Sequence, residues 1–171
     1  MGFMKNRLTK KQIVTALHLA KTQSVYATCP KKQVGAALLY PSGVATIGFN
    51  CAPSGHYQCN NNNKCQEENG QCQTAIHAEM GVIIESAFKG ISTNNAILFC
   101  THFPCNNCMK AIIAAGINDI YYLYQCSEKN YTVDLKQINI TKVGNDTQHG
   151  DVDKIYFKKY GINHILKNKT I

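Results

Sequence analysis

A pair of cysteines at the start of a predicted helix constrains this chain more than any other feature. Cys105 and Cys108 stand three positions apart, directly after Pro104 and before an apolar run at residues 109–115. Side chains three residues apart share one face of a helix, so both sulfurs can point at the same object. The positive end of the helix dipole favours thiolates there, and the thiolate is the form that binds a metal ion.

A histidine and a glutamate earlier in the chain complete a metal-binding pattern. His77 offers a third ligand. Two sulfurs and one nitrogen suit zinc and leave its fourth position open for water. Glu79 lies two residues after His77, near the metal without being needed as a ligand, so it can move protons. The order His-x-Glu and then Pro-Cys-x-x-Cys is the signature of zinc-dependent deaminases.

Two simpler interpretations compete with a catalytic metal site. A Cys-x-x-Cys at a helix start also fits a dithiol redox pair, and an isolated His-x-Glu is common and mostly without function. The redox interpretation leaves His77 and Glu79 unexplained. The metal interpretation therefore accounts for more of the sequence.

Length and charge limit the classes of protein. The 171 residues suffice for one domain and are too few for two comfortable ones, so we expect a single domain over residues 1–171. The net charge of +8 would attract nucleic acid, nucleotides or anionic membranes, or would simply aid solubility. Because the lysines form no long basic run, a nucleotide or a solubility role is favoured over duplex DNA.

The cellular compartment follows from what the sequence lacks and from its cysteines. No apolar run reaches 18 residues and no signal-peptide pattern follows the basic N-terminus, so we expect a cytoplasmic protein without a membrane partner. Nine cysteines in a reducing compartment indicate metal binding before disulfides.

Apolar periodicity predicts an α/β domain. The predicted helices span residues 9–24, 77–88, 105–115 and 151–160, and the predicted strands span 34–40, 44–49, 96–101, 120–124 and 163–166. We expect the first two strands to form a hairpin and the second half of the sheet to be mostly parallel. Both site segments begin helices, where ligands gather in α/β sheets.

Two polar segments interrupt this pattern. The loop at residues 51–76 carries Cys51, Cys59, Cys65 and Cys72, and polar loops of this kind are often pinned by a metal because they bury little apolar area. Residues 126–150 are polar as well, and we expect an irregular surface segment there.

Four stretches of the chain resemble the deoxycytidylate (dCMP) deaminases of the cytidine deaminase superfamily. They lie at residues 29–36, 48–55, 74–80 and 101–117. The likeness is to the type encoded in bacterial late-competence operons and in phages, and it spans about residues 8–124. The resemblance implies a three-layer α/β/α fold around a central five-stranded mixed sheet.

The resemblance also implies an activity and a catalytic site. It implies zinc-dependent hydrolysis of dCMP to dUMP and ammonia, which feeds dTMP synthesis. His77, Cys105 and Cys108 would bind the catalytic zinc, and Glu79 would shuttle protons. Asn50 matches the residue that holds the substrate's sugar and base.

The phosphate site departs from the family pattern. Lys31 and Lys32 stand where arginines are common, and a lysine contacts phosphate as a point charge without the two-pronged geometry of arginine.

Two other positions also depart from the family pattern. Cys51 replaces a usual glycine, and Gly81 replaces a usual asparagine.

A second, structural zinc is the next hypothesis. Cys29 matches a family position that contributes to such a site, and with Cys59, Cys65 and Cys72 it would form the closed four-sulfur shell typical of structural zinc. Cys51 could replace one of the four. The alternative is a set of unligated thiols.

The family's regulation and assembly extend the expectations. The resemblance implies dCTP and dTTP as effectors, with Mg²⁺ accompanying them, and a homo-oligomer, often a hexamer. A deaminase acting on a base in RNA or DNA is the first alternative, and the Ala-Pro-Ser-Gly stretch at 52–55 argues against it. A catalytically silent, zinc-stabilised factor is the second, and the intact Glu79 argues against that.

Overall fold

A computed structural model describes residues 8–59, 65–68, 71–126 and 131–143. Its helices are α1 (Lys10–Ser24), α2 (Ala78–Phe88) and α3 (Asn106–Ala114), with a 3₁₀ turn at Leu135–Gln137. Its strands are β1 (Gly35–Leu39), β2 (Ala45–Phe49), β3 (Glu67–Glu68), β4 (Gln71–Cys72), β5 (Ile97–His102), β6 (Asp119–Tyr124) and β7 (Asn139–Lys142). The predicted helix at 151–160 and strand at 163–166 lie outside the described residues.

Five strands form one mixed sheet in the order β2-β1-β5-β6-β7. β1 is antiparallel to both neighbours, so that Ala37 lies opposite Ile47 on one side and Phe99 on the other. β6 is parallel to both β5 and β7. The hairpin of β1 and β2 and the parallel second half are therefore confirmed, and β3 and β4 form a small hairpin of their own.

Helices cover both faces of the sheet. On one face, Leu17 of α1 packs in a cluster with Ala37 and Phe99. On the other face, Leu38 and Met109 belong to the larger cluster that α2 and α3 complete. Neighbouring residues of a strand point to opposite faces, which places Ala37 and Leu38 in different layers. The expected three-layer α/β/α fold is confirmed.

Thr9 caps the start of α1. Thr9 accepts a hydrogen bond from the backbone N–H of Gln12, and the Gln12 side chain accepts one from the backbone of Thr9. This reciprocal capping satisfies donors that the first helical turn leaves without partners. Within the described part of the chain, no helix is long and apolar enough to cross a membrane.

The buried side of α2 differs in part from the predicted one. Helical periodicity predicts that Met80, Ile83, Ile84 and Ala87 face the core. Ile83 packs against it, but the buried residues of the helix are Ala78, Glu79, Val82 and Ser86, and Ile84 is 49% exposed. The reason is a close approach to β2: a Cβ atom built on Gly48 would lie 3.1 Å from Cγ1 of Val82. Small side chains on this side bring α2 near the sheet.

Residues 126–150 are not irregular throughout, which corrects a second expectation. β7 lies within this range and forms the edge of the sheet. Ile138, directly before it, is buried, and Ile140 packs partly against the core. The sequence did not predict this strand because its residues are mostly polar. A strand with two polar residues beside each apolar one shows little of the alternation that indicates β-structure.

Candidate active site

The first residues of α2 and α3 bring the three predicted metal ligands together. Nδ1 of His77 lies 3.5 Å from Sγ of Cys105 and 3.4 Å from Sγ of Cys108. All three ligand atoms lie within 4.8 Å of one another. His77 and Cys105 are the N-cap residues of their helices, yet neither side chain makes a capping hydrogen bond. Both side chains are therefore available to a ligand.

The spacing of these atoms fits a zinc ion. Tetrahedral zinc, with bonds of about 2.3 Å to sulfur and about 2.0–2.1 Å to nitrogen, separates a sulfur from a nitrogen by roughly 3.6 Å. The two separations at His77 come within about 0.2 Å of that value. Two cysteines and one histidine also form a ligand set that catalytic zinc sites use, with one position left for water.

Charges in the triad favour metal binding. A hydrogen bond from Cys108 lowers the pKa of Cys105 to about 4, and the same contact raises the pKa of Cys108. The hydrogen bond to Cys105 raises the pKa of His77 to about 9. One thiolate is thus already formed in the triad, and a metal cation would displace the remaining protons.

Glu79 is a buried carboxyl beside the triad. It lies in the first turn of α2 and is only 4% exposed. Its Oε2 lies 3.9 Å from Sγ of Cys108. Burial raises the pKa of Glu79 above the ordinary glutamate value because the charged form loses its hydration. A carboxyl whose pKa is raised in this way is suited to accept a proton and later return it.

A cavity of about 530 Å³ opens onto the triad and Glu79. All three predicted substrate-binding residues, Asn50, Lys31 and Lys32, line it. Its volume falls within the usual range for small-molecule sites, about 300–1,000 Å³. The structure therefore brings every predicted catalytic and substrate-binding residue to one cavity.

Asn50 holds the backbone that carries the lysines. Its Oδ1 accepts a hydrogen bond from the backbone N–H of Val34, and its Nδ2 donates one to the carbonyl of Lys32, both at 2.8 Å. The amide retains one N–H and one lone pair beyond these bonds. Asn50 thus braces the cavity wall in addition to lining it.

The two lysines have different partners. Nζ of Lys31 forms an ion pair with Oε2 of Glu67 at 2.5 Å, which ties the wall of the cavity to the β3–β4 hairpin. Nζ of Lys32 lies 3.9 Å from Sγ of Cys126. Of the two lysines, only Lys31 forms an ion pair among the described residues.

A cluster of sulfurs lies beside the same cavity. Sγ atoms of Cys29, Cys65 and Cys72 lie within 4.8 Å of one another, and Sγ of Cys59 lies 3.7 Å from that of Cys72. Tetrahedral zinc would separate two sulfurs by roughly 3.8 Å. Cys51 lies outside the group of three and instead pairs by backbone hydrogen bonds with Ile76.

Hydrogen bonds between thiols shift the pKa values of the sulfur cluster in opposite directions, as they do in the triad. Burial opposes ionisation of Cys72, but hydrogen bonds from Cys65 and from the backbone of Ala75 lower the pKa of Cys72 to about 7. The bond to Cys72 raises the pKa of Cys65 to about 12. Cys29 and Cys72 line the cavity as well, so the two sulfur-containing sites share a wall.

Five other residues of the cavity wall were not predicted as site residues: Val34, Ala75, His102, Phe103 and Cys126. Cys126 is only partly buried. His102 and Phe103 immediately precede Pro104, so their position next to the cysteine motif could have indicated that they belong to the site. Nδ1 of His102 lies 3.0 Å from Oγ1 of Thr101.

The family is shown by comparison with known proteins. Residues 9–124 match the family described as the cytidine and deoxycytidylate deaminase zinc-binding region. The chain belongs to this family, and the resemblance inferred from its motifs is confirmed.

Two curated relatives differ in length from this chain. ComE operon protein 2 of Bacillus subtilis (strain 168) is 33% identical over 116 residues, which cover 67% of this chain and 61% of that protein. The deoxycytidylate deaminase of Schizosaccharomyces pombe is 28% identical over 129 residues, covering 71% of this chain and 39% of that enzyme. The chain thus spans less than two thirds of either relative.

Solved structures give the same fold. The dCMP deaminase of the cyanophage S-TIM5, determined with dCMP and dUMP bound, superposes with a TM-score of 0.70 at 27% identity. The match covers 80% of this chain and 100% of that one. A structure from a study of tRNA:A34 deaminases has a TM-score of 0.50 at 19% identity, a likeness of fold alone.

Proposed function

We propose that this protein is a zinc-dependent deaminase that hydrolyses dCMP to dUMP and ammonia. The observation that carries the proposal is the buried Glu79 carboxyl beside the triad of His77, Cys105 and Cys108, at the wall of one cavity. Membership of the cytidine and deoxycytidylate deaminase family supports it, as does the likeness to a phage enzyme solved with dCMP and dUMP.

The zinc and Glu79 would have separate roles in the reaction. His77, Cys105 and Cys108 would hold the zinc, which supplies the positive charge that makes a water molecule acidic at neutral pH. Glu79 accepts one proton of the attacking water and passes it to N3 of the pyrimidine, and it then carries the second proton of that water to the departing amine. The water oxygen bonds to C4, the C4–N bond breaks, and ammonia leaves.

The raised pKa of Glu79 serves both halves of this proton transfer. An ordinary glutamate would be ionised throughout at neutral pH and would be a poor acid. Burial raises the pKa of Glu79 above the ordinary value, so the ionised carboxylate is a stronger base than an ordinary glutamate and suits a group that first accepts a proton and then returns it.

Lys32 is the residue we assign to the substrate phosphate. It lines the cavity, and its Nζ lies 3.9 Å from the thiol of Cys126. Lys31 lines the cavity too, but its ion pair with Glu67 partly neutralises its charge. Asn50 would place Lys32 through its hydrogen bond to the Lys32 carbonyl and offer its remaining amide groups to the nucleoside.

We also propose a second, structural zinc bound by the sulfur cluster. Cys29, Cys59, Cys65 and Cys72 provide four sulfurs from three separate parts of the chain, the closed set that structural zinc prefers. No acidic residue belongs to either metal-binding group, so we assign no Mg²⁺ site within the described residues. Control by dCTP or dTTP, homo-oligomer formation, cytoplasmic location and supply of dUMP for dTMP synthesis stay predictions from the family.

The test is turnover of dCMP compared with deoxycytidine by the zinc-loaded protein, followed by the loss of cytosine absorbance. We expect dCMP to be converted with a higher kcat/KM than deoxycytidine, because only dCMP carries a phosphate for Lys32. We expect Lys32→Ala to reduce that preference and the matched variant Lys110→Ala, on the exposed side of α3, to keep it. No turnover of dCMP, or equal turnover of both compounds, would contradict the proposal.

A further inference from the structure

The loop that carries Cys105 is held by a segment of the chain beyond the region that defines the family. The family match ends at residue 124, and Tyr131 and Thr132 follow it. The hydroxyl of Tyr131 donates a hydrogen bond of 2.7 Å to the carbonyl of Pro104, the residue directly before Cys105.

The residue directly after Cys105 is held by the same segment. Oδ1 of Asn106 accepts two hydrogen bonds from Thr132, one from its backbone N–H at 2.9 Å and one from its hydroxyl at 3.1 Å. The ring of Tyr131 also meets that of Phe103 edge-on, with centroids 5.5 Å apart. Three residues around Cys105 are thus fixed by two consecutive residues.

The two cysteines of the motif differ in how the fold supports them. Cys108 is 2% exposed and lies inside α3, next to the fully buried Met109, so the helix itself fixes its position. Cys105 is only partly buried and precedes the first turn of the helix. Cys105 therefore needs support from outside its own helix, and Tyr131 and Thr132 contact both of its chain neighbours.

Resting on the proposed function, we propose that Tyr131 and Thr132 are positioning residues that hold Cys105 for the catalytic metal. Zinc ligation tolerates deviations of only about 0.2 Å in its bond lengths, so a loosened loop at Cys105 weakens binding. Partners that orient metal ligands change metal affinity roughly 10- to 100-fold when they are removed. The same two residues also join strand β7 to the site, because they precede it in the chain.

The test measures how firmly zinc is held at Cys105. Zinc-loaded protein is equilibrated with increasing concentrations of a zinc chelator, and alkylation of each cysteine is then followed by mass spectrometry. We expect Tyr131→Phe to expose Cys105 and Cys108 at a roughly 10- to 100-fold lower chelator concentration than the parent. Alkylation of Cys65 and Cys72, in the sulfur cluster, is expected to be unchanged.

Tyr122→Phe is the matched control. The Tyr122 ring packs against Phe103 at 4.8 Å, and its hydroxyl donates a hydrogen bond of 2.8 Å to Gln125, away from the cysteine loop. This variant loses a comparable hydroxyl from the same aromatic cluster, and we expect it to retain zinc at Cys105 as the parent does. Asn106→Ala removes the oxygen that accepts the hydrogen bonds of Thr132. We expect it to lose zinc at Cys105 as Tyr131→Phe does, and it tests the contact even if Tyr131→Phe fails to fold.

Equal zinc retention at Cys105 in the parent, Tyr131→Phe and Asn106→Ala would overturn the inference and leave these contacts a purely structural role. Loss of zinc from Cys105 in Tyr122→Phe to the same degree as in Tyr131→Phe would also overturn it. Zinc retention is measured without substrate, so a lack of dCMP turnover in the parent would count against the proposed function alone.

Discussion

Asn50 is a buried side chain with a structural role beside its proposed role in substrate binding. The family resemblance predicts it as a substrate residue, and the structure shows its amide bridging the backbone at Lys32 and Val34. Such bridging cannot be inferred from the sequence, because it depends on how the end of β2 meets the start of β1. Asn50 is only 5% exposed, so water cannot easily replace its hydrogen bonds to the backbone when they are lost.

Asn50→Asp tests this double role. The carboxylate keeps the acceptor for the Val34 N–H but places a second oxygen against the Lys32 carbonyl. We expect a loss of about 1–3 kcal/mol in the free energy of unfolding and a raised KM for dCMP, measured by denaturant unfolding and steady-state kinetics.

Gln58→Glu is the control for Asn50→Asp. The Gln58 amide likewise bridges a backbone N–H and a carbonyl, both of Ala52, but it does so away from the residues that line the cavity. We expect this variant to lose stability with an unchanged KM. An unchanged KM in Asn50→Asp would show that the bridge does not position the substrate site.

At the scale of elements, the starts of the two site helices were predicted correctly, but the buried side of α2 was predicted only in part. Their starts carry chemical signals, His77 before α2 and Cys105 before α3, that a sequence displays directly. The buried side of α2 depends on small residues that permit close approach, and apolar periodicity overlooks these. Phe88, at the end of α2, is 86% exposed although it is the largest apolar residue in the helix.

Gly48→Ala tests the close approach of α2 to β2. The added methyl would lie 3.1 Å from Cγ1 of Val82, so the helix or that side chain must shift by a few tenths of an ångström. We expect a loss of about 1–3 kcal/mol in the free energy of unfolding, because inserted atoms in a packed core cost about that much. Val82→Ala in the same protein should recover part of the loss by removing the contacted methyl.

Gly81→Ala should have the opposite effect. A Cβ atom there meets only the carbonyl of Phe49, at 3.9 Å, and the residue lies inside α2. Alanine is favoured over glycine in a helix by about 0.8–1 kcal/mol, so we expect a higher thermal midpoint. A lower midpoint would show that α2 needs this glycine for a reason other than space.

At the scale of the whole molecule, two groups of side chains that could hold a metal ion meet at one cavity. Sγ atoms of Cys65 and Cys72 lie close to that of Cys29, ahead of β1, and Glu67 of the β3–β4 hairpin adds an ion pair to Lys31. The sequence predicted both groups, the first from its motifs and the second from the cysteines of the polar loop together with the family resemblance at Cys29. It did not anticipate that they would share a wall, because that depends on the path of the loop, and it missed Tyr131 because that contact joins distant segments.

Zinc content tests the sulfur cluster. We expect two zinc ions per chain in the parent and one in Cys59→Ser, together with faster proteolysis within residues 51–76. Cys51→Ser is the matched control, since Cys51 lies outside the group of sulfurs, and it should keep both ions. Two zinc ions in Cys59→Ser, or one in Cys51→Ser, would assign the ligands differently.

Catalysis by Glu79 is tested by the rate of ammonia release from dCMP in the parent and in Glu79→Gln, with zinc content determined in both. Glutamine keeps the shape of the side chain but cannot carry a proton between water and substrate. We expect the variant to hold the same zinc and to lose roughly 10²- to 10⁴-fold in kcat, the usual contribution of general acid–base catalysis. Equal rates in the two proteins, or no ammonia from the zinc-loaded parent, would contradict the account.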